Sequence, residues 1–152
     1  MQIHRLLAGG GTAVIRMPLK NYAWQKYGVN WVQLDPPRHL FIYTETTFRD
    51  MAASAGFDIV ETRYDSEAFQ FFGSEQYLMD IPMNDPRSFC GVTESSIFSA
   101  KQIEDWTREA VELNARSLGD QACFYLRKRE DQPAASVSQS NTGRTTPGTT
   151  PP

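Results

Sequence analysis

The run Thr12-Ala-Val-Ile-Arg-Met17, closed by Pro18, is the feature that most restricts how this chain can fold. Short, mostly apolar and rich in β-branched residues, it reads as a strand buried on both faces. Such a strand needs neighbours, and the chain offers few. Only two other runs have strand character. Phe57–Tyr64 carries β propensity in Ile59, Val60 and Thr62, while Asp58, Glu61 and Arg63 mark partial exposure. Gln121–Arg129 carries Cys123, Phe124, Tyr125 and Leu126 before a charged exit. Three strands with one flanking helix each make an α/β pattern that is incomplete, because Thr12–Met17 is left with an open side.

Helix signals fall between these runs. Ile3, Leu6 and Leu7 read as the last turn of an amphipathic helix, with His4 and Arg5 where cations suit the helix dipole, and Gly9-Gly-Gly11 turns the chain. Thr44 is a good N-cap for a helix over 45–55, in which Phe48, Met51, Ala52 and Ala55 form one stripe, and Gly56 supplies its left-handed exit. Ser99-Ala-Lys-Gln102 matches a capping box, opening a helix to about Arg116 with Ile103, Trp106, Ala110 and Leu113 on one face. Gly119 and Asp120 end it. Two stretches have no clear period: Leu19–Tyr43 reads as a long, aromatic, ordered loop, and Asp65–Glu94 as an irregular apolar insertion packed over a pocket or partner.

From Gln132 onward the chain is almost all Ser, Thr, Gly, Pro and other small or polar residues, which cannot bury enough surface to offset their ordering entropy. The expected organisation is therefore one partial domain over 1–130 and a disordered tail over 131–152. A net charge of −3 argues against a general binder of phosphate backbones, so no nucleic-acid partner is expected. The two cysteines, Cys90 and Cys123, are far apart and lack metal-ligand spacing, which suits a reducing compartment. No signal segment or run of about 18–20 apolar residues points to export or a membrane, so a soluble, cytoplasmic chain is expected. No spacing suggests a metal site, a nucleophilic triad or a phosphate loop.

Chemistry concentrates in Trp31-Val-Gln-Leu-Asp-Pro-Pro-Arg-His-Leu40. Adjacent prolines fix their own φ and push Asp35 and Pro36 toward extended backbone, giving a stiff loop that can serve as the wall of a binding pocket. His39 either takes a proton from an acceptor hydroxyl as general base or fixes the loop by bonding to backbone. Arg38 either grips a carboxylate or phosphate of an acceptor or pairs with Asp35, which itself suits a turn. Tyr22, Trp24, Tyr27 and Trp31 either form an acceptor platform or bury the loop, and Phe69–Phe72 are candidates to cap the same pocket.

Leu6-Leu-Ala-Gly-Gly-Gly-Thr-Ala-Val-Ile-Arg-Met-Pro18 resembles a segment found late in class I S-adenosylmethionine-dependent methyltransferases. Tyr27-Gly-Val-Asn-Trp31, Leu34-Asp-Pro-Pro-Arg-His-Leu40, Phe41–Thr44 and Ala55-Gly-Phe57 extend that resemblance over about residues 3 to 65. The resemblance implies the C-terminal part of a Rossmann-like methyltransferase fold, its last three strands with flanking helices, with Gln121–Arg129 as the final antiparallel strand. It implies a transferase with S-adenosylmethionine as cofactor and a small-molecule acceptor, with His39 as catalytic candidate and Arg38, Trp31, Tyr27 and Asp35 as acceptor-binding candidates.

The family's glycine-rich nucleotide turn follows a strand, whereas Gly9-Gly-Gly11 precedes one. The expectation is thus an acceptor-side half whose cofactor-binding half lies outside this chain, through truncation, gene splitting or a late start. The alternative is a non-catalytic interaction module built on the same half-fold. An isolated half should be marginal and associate with a separate cofactor-binding half or with a second copy of itself.

Overall fold

A computed structural model describes residues 2–89 and 97–129. Cys90, the end of the expected insertion and the expected tail over 131–152 lie outside the described residues. In order, the elements are α1 (Gln2–Leu6), β1 (Thr12–Pro18), α2 (Tyr22–Tyr27), α3 (Glu45–Ser54), β2 (Phe57–Tyr64), α4 (Phe69–Leu78), α5 (Ala100–Ala115) and β3 (Gln121–Lys128). Two 3-10 turns, Gly28–Asn30 and Val32–Leu34, follow α2.

The three strands form one sheet in the order β1-β3-β2, and β3 runs antiparallel to both neighbours. The first and second strands therefore point the same way, and their carboxyl ends lie beside the start of β3. The result is a mixed α/β unit with a small antiparallel sheet, compatible with a partial methyltransferase-like fold.

One face of the sheet is covered. Ala122, Phe124 and Leu126 of β3 pack with Phe57, Leu19, and Phe48 and Ala52 of α3, while Ala13, Ile15 and Met17 of β1 lean against that cluster. The helix starts where the sequence predicts: the Thr44 hydroxyl accepts the Thr47 amide at 3.2 Å, satisfying one of the unpaired donors of the first turn. It ends at Gly56, whose φ of +80° carries no steric cost for glycine. The His4 ring lies against Gly56 and meets Phe57 edge-on at 5.2 Å, so this histidine ties α1 to the start of β2.

The other face is open, which corrects the expectation that Thr12–Met17 is buried on both sides. Its residues alternate between exposed and half-buried, and Val14 is 57% exposed. Thr12, Val14 and Arg16 are all exposed, and among the described residues β1 has a strand on one edge only. In β2 the register slips between Ile59 and Glu61, so Val60 is the extra residue of a bulge. That bulge explains why Asp58 and Glu61, three apart, are both exposed.

The long loop and the insertion also need correction, since each contains helix. Within Leu19–Tyr43 the chain forms α2 and the two 3-10 turns, and within Asp65–Glu94 it forms α4. Both helices are apolar or aromatic on several sides, so no 3.6-residue stripe marks them. Together with α5 they enclose a second core of Ala23, Tyr27, Trp31, Val32, Phe71, Ala110 and Leu113 at the carboxyl end of the sheet. Gly73 permits this packing, because a Cβ there would sit 2.7 Å from Val32 Cγ2. The last helix begins with the predicted capping box, in which Ser99 and Gln102 bond reciprocally.

Candidate functional site

In open α/β sheets, ligands bind beyond the carboxyl ends of the parallel strands. Here that end is built by Pro18–Leu19 at the end of β1, Asp65–Glu67 after β2 and Gly119–Gln121 at the start of β3. Backbone and side-chain bonds lock the three together. Leu19 N donates to Asp120 O at 2.8 Å, and Gln121 N donates to the Ser66 hydroxyl at 3.0 Å. From α5, Asn114 clasps Ser66 twice, accepting its amide at 3.0 Å and donating to its carbonyl at 2.8 Å. Gly119 makes room for this clasp, since a Cβ there would lie 2.3 Å from Asn114 Oδ1.

Over this floor runs the Trp31–Leu40 segment. Trp31 is fully buried and donates its indole N–H to Asp120 Oδ2 at 2.8 Å; Gln33 Nε2 donates to the same oxygen at 3.3 Å. Asp120 is itself fully buried, and its second carboxyl oxygen has no partner among the described residues. Burial pushes this carboxyl's pKa up, against the pull of the donors around it. The turn is held from the other side by Ser74 of α4, whose hydroxyl accepts the Val32 amide at 3.0 Å and donates to Gln70 O at 2.7 Å.

Asp35 departs from expectation. It has φ 34° and ψ 57°, left-handed rather than extended. Aspartate tolerates this region because its short polar side chain bonds locally. Its carbonyl accepts the amides of Arg38 at 2.9 Å and His39 at 3.3 Å, and its carboxylate meets Arg38 Nη1 at 3.1 Å. The turn therefore brings Asp35, Arg38 and His39 together.

His39 is half-buried, with Nδ1 2.9 Å from Gln33 O. A carbonyl only accepts, so Nδ1 carries the proton and the neutral ring has its lone pair on Nε2. The backbone-anchoring and proton-accepting readings of His39 are therefore compatible in one geometry.

The four aromatic candidates of the loop lie in the second core, as Tyr27 and Trp31 do, or pack against it, as Tyr22 and Trp24 do. Tyr27 is buried in the second core, where its hydroxyl donates to Glu75 Oε1 at 2.9 Å; burial and that carboxylate raise its pKa. Trp31 lies behind the loop in the same core. Leu40 and Phe41 are 79% and 72% exposed at the far end of the segment.

Sequence reasoning did not single out Asp120, Gln33 or Ser66, although a buried tryptophan always raises the question of what accepts its N–H. Among the described residues no group of histidine, cysteine and carboxylate side chains could hold a metal, and no helix is long and apolar enough to cross a membrane.

No curated protein and no solved structure gives a significant match to the chain. Residues 1–62, which span α1, β1, the His39 turn, α3 and most of β2, match the model of the family described as a methyltransferase domain, and this segment is of the class I S-adenosylmethionine-dependent methyltransferase type.

Proposed function

We propose that this chain supplies the acceptor side of a methyltransferase that acts on a small-molecule acceptor, with the cofactor side contributed from outside the described residues. The observation that carries this reading is the family match over residues 1–62, which includes the whole Asp35–His39 turn. The antiparallel pairing of β3 with both other strands supports it, because the resemblance implies an antiparallel last strand. The partial domain then extends over 1–130, followed by a tail, and the chain works in the cytoplasm.

The family draws its methyl group from S-adenosylmethionine. Among the described residues nothing fits that cofactor: β1 and β2 run at their carboxyl ends into Leu19-Lys20-Asn21 and Asp65-Ser66-Glu67, with no glycine-rich turn to receive a nucleotide. What the chain's own residues can do is bind and deprotonate an acceptor. His39 Nε2 accepts the proton of the acceptor's hydroxyl or amine, with Nδ1–H held by Gln33 O. The Arg38 guanidinium, steered by Asp35, orients an acidic or polar group of the acceptor. Tyr27 and Trp31 act from behind the turn, tying their segment to Glu75 of α4 and to Asp120.

The test is transfer of radiolabelled methyl to acceptor by the chain joined to a cofactor-binding half. His39→Gln, which can still donate to Gln33 O, should lower the rate by about 10²-fold or more if His39 moves a proton. An unchanged rate would remove His39 from the chemistry.

The second reading, a non-catalytic interaction module, is favoured by the exposed residues of β1 and by its outer edge, which pairs with no strand among the described residues. A separate cofactor-binding half or a second copy of the chain would cover that edge. Sedimentation of the purified chain showing a strict monomer at high concentration would count against self-association.

A further inference from the structure

Asp120, the residue before β3, carries a fully buried carboxyl group that no step of the proposed chemistry uses. Its backbone belongs to the floor of the site, since its carbonyl accepts the Leu19 amide at the end of β1 at 2.8 Å. Its side chain meets the segment that runs over that floor. One oxygen, Oδ2, accepts both the indole N–H of Trp31 at 2.8 Å and the side-chain amide of Gln33 at 3.3 Å. Gln33 in turn offers its backbone carbonyl to His39 Nδ1 at 2.9 Å. A short chain of bonds thus runs from the start of β3 to the imidazole.

The two bonds to Asp120 are unequal, and the difference decides how the restraint works. At 3.3 Å the Gln33 bond lies past the usual N–H···O range and restrains little alone, whereas the Trp31 bond at 2.8 Å lies well within it. Trp31 caps the 3-10 turn Val32–Leu34, and its carbonyl accepts the Leu34 amide at 3.1 Å, so fixing Trp31 also fixes where the Gln33 carbonyl sits. Ser74 of α4 bonds the Val32 amide of the same turn at 3.0 Å; of these two anchors, Asp120 is the one that ties the turn to the sheet. Burial strengthens hydrogen bonds to the carboxylate and makes their loss costly. It also pushes the Asp120 pKa up, so that the anion costs stability, a pattern common beside functional sites.

We infer that Asp120 is the positioning residue for His39: its buried carboxyl group sets the Trp31–Leu34 turn on the sheet, and that turn presents the carbonyl that keeps the proton on Nδ1 and the lone pair on Nε2. The inference rests on the acceptor-side reading only for its effect on methyl transfer, since the state of the imidazole is read without any transfer.

The test is 15N NMR of the full chain labelled at histidine, at about pH 8, where an ordinary imidazole is neutral. Ring-nitrogen shifts report the ratio of Nδ1–H to Nε2–H tautomers at His39, and His4, beside Gly56 and Phe57, is the internal control. The Nδ1–H form should predominate at His39 in the unaltered chain. Asp120→Ala should lower the ratio at least about three-fold and leave His4 unchanged, whereas Asp120→Asn, which keeps an acceptor oxygen, should stay within about two-fold of the unaltered chain. Trp31→Phe removes the shorter bond and keeps most of the volume; it should lower the ratio at least about two-fold, and it repeats the test should Asp120→Ala fail to fold. An unaltered ratio in Asp120→Ala or Trp31→Phe, an equal change at His4, or an Asp120→Asn chain shifted as far as Asp120→Ala overturns the assignment. With a cofactor-binding half joined, a shifted tautomer without loss of methyl transfer would sink the proton-accepting role of His39 alone; lost transfer with an unshifted tautomer would sink the positioning role alone.

Discussion

The sheet with α3 and the aromatic lobe formed by α2, α4 and α5 are held together by different physics. In the sheet, apolar residues alternate with exposed ones and one face packs on a single helix, so cohesion comes from area buried at regular spacing. Among the described residues the opposite face has no helix packed along it. In the lobe, large aromatic rings are enclosed, and buried polar groups tie them to specific partners: Trp31 to Asp120, Tyr27 to Glu75, and Val32 to Ser74. Regular packing tolerates an incomplete layer, whereas a buried polar network holds only if nearly every member is satisfied. The site lies in the second kind of region, where position is set by individual bonds.

The largest expected effect falls on the sheet. Phe124→Ala removes a fully buried ring that lies 4.5 Å from Phe48, and should cost about 3–5 kcal/mol in urea unfolding. If the loss is under about 1 kcal/mol, the sheet is not the principal core. Next, Trp31→Phe keeps most of the volume but deletes the N–H to Asp120, and should cost about 1–3 kcal/mol. Amide hydrogen exchange should then quicken around residues 31–34 and 119–121 and not in the strands; a uniform change would erase the distinction between the two regions.

That distinction also explains what could be read from the chain alone. Thr12–Met17, the Thr44-capped stripe, Gly56, the Ser99–Gln102 box and the last strand all carry local periodic or capping signals, and all lie in or beside the sheet or on α5. Helices α2 and α4 escaped because Tyr22–Tyr27 is short and Phe69–Leu78 buries Gln70, Ser74 and Gln76 along with Phe71, so hydrophobicity alone shows no stripe. The Asp35–Arg38 pair and the backbone anchor of His39 were foreseeable from adjacency and the stiff prolines. Asp120 was not, because its role depends on Trp31, which is remote in sequence. The openness of β1 was legible only as a shortage of strands; its apolar composition argued for cover that no described element provides.

Smaller effects sharpen the same contrast. Thr44→Ala removes the N-cap of α3 and should cost about 1 kcal/mol in thermal or urea unfolding. Asp120→Asn should act through pH. Burial raises the folded-state pKa of Asp120 above its unfolded value, so its contribution is fully present below about 3.9 and is lost as pH rises through the folded pKa. Asparagine keeps an acceptor for Trp31 and carries no charge, so it should gain up to about 1 kcal/mol at neutral pH and nothing at about pH 3.5. A gain that is the same at both pH values would show that Asp120 carries no burial penalty as an anion.

Least of all, Val14→Lys on the bare face should change stability by no more than about 0.5 kcal/mol in the isolated chain. A larger loss would mean that this face is covered.

Isothermal titration of the full chain with S-adenosylmethionine addresses the acceptor-side assignment most directly. With Leu19-Lys20-Asn21 and Asp65-Ser66-Glu67 at the strand ends where a glycine-rich turn would be needed, the assignment predicts no binding in the micromolar range by this chain alone. Micromolar, one-to-one binding would contradict it and place a cofactor site within these 152 residues.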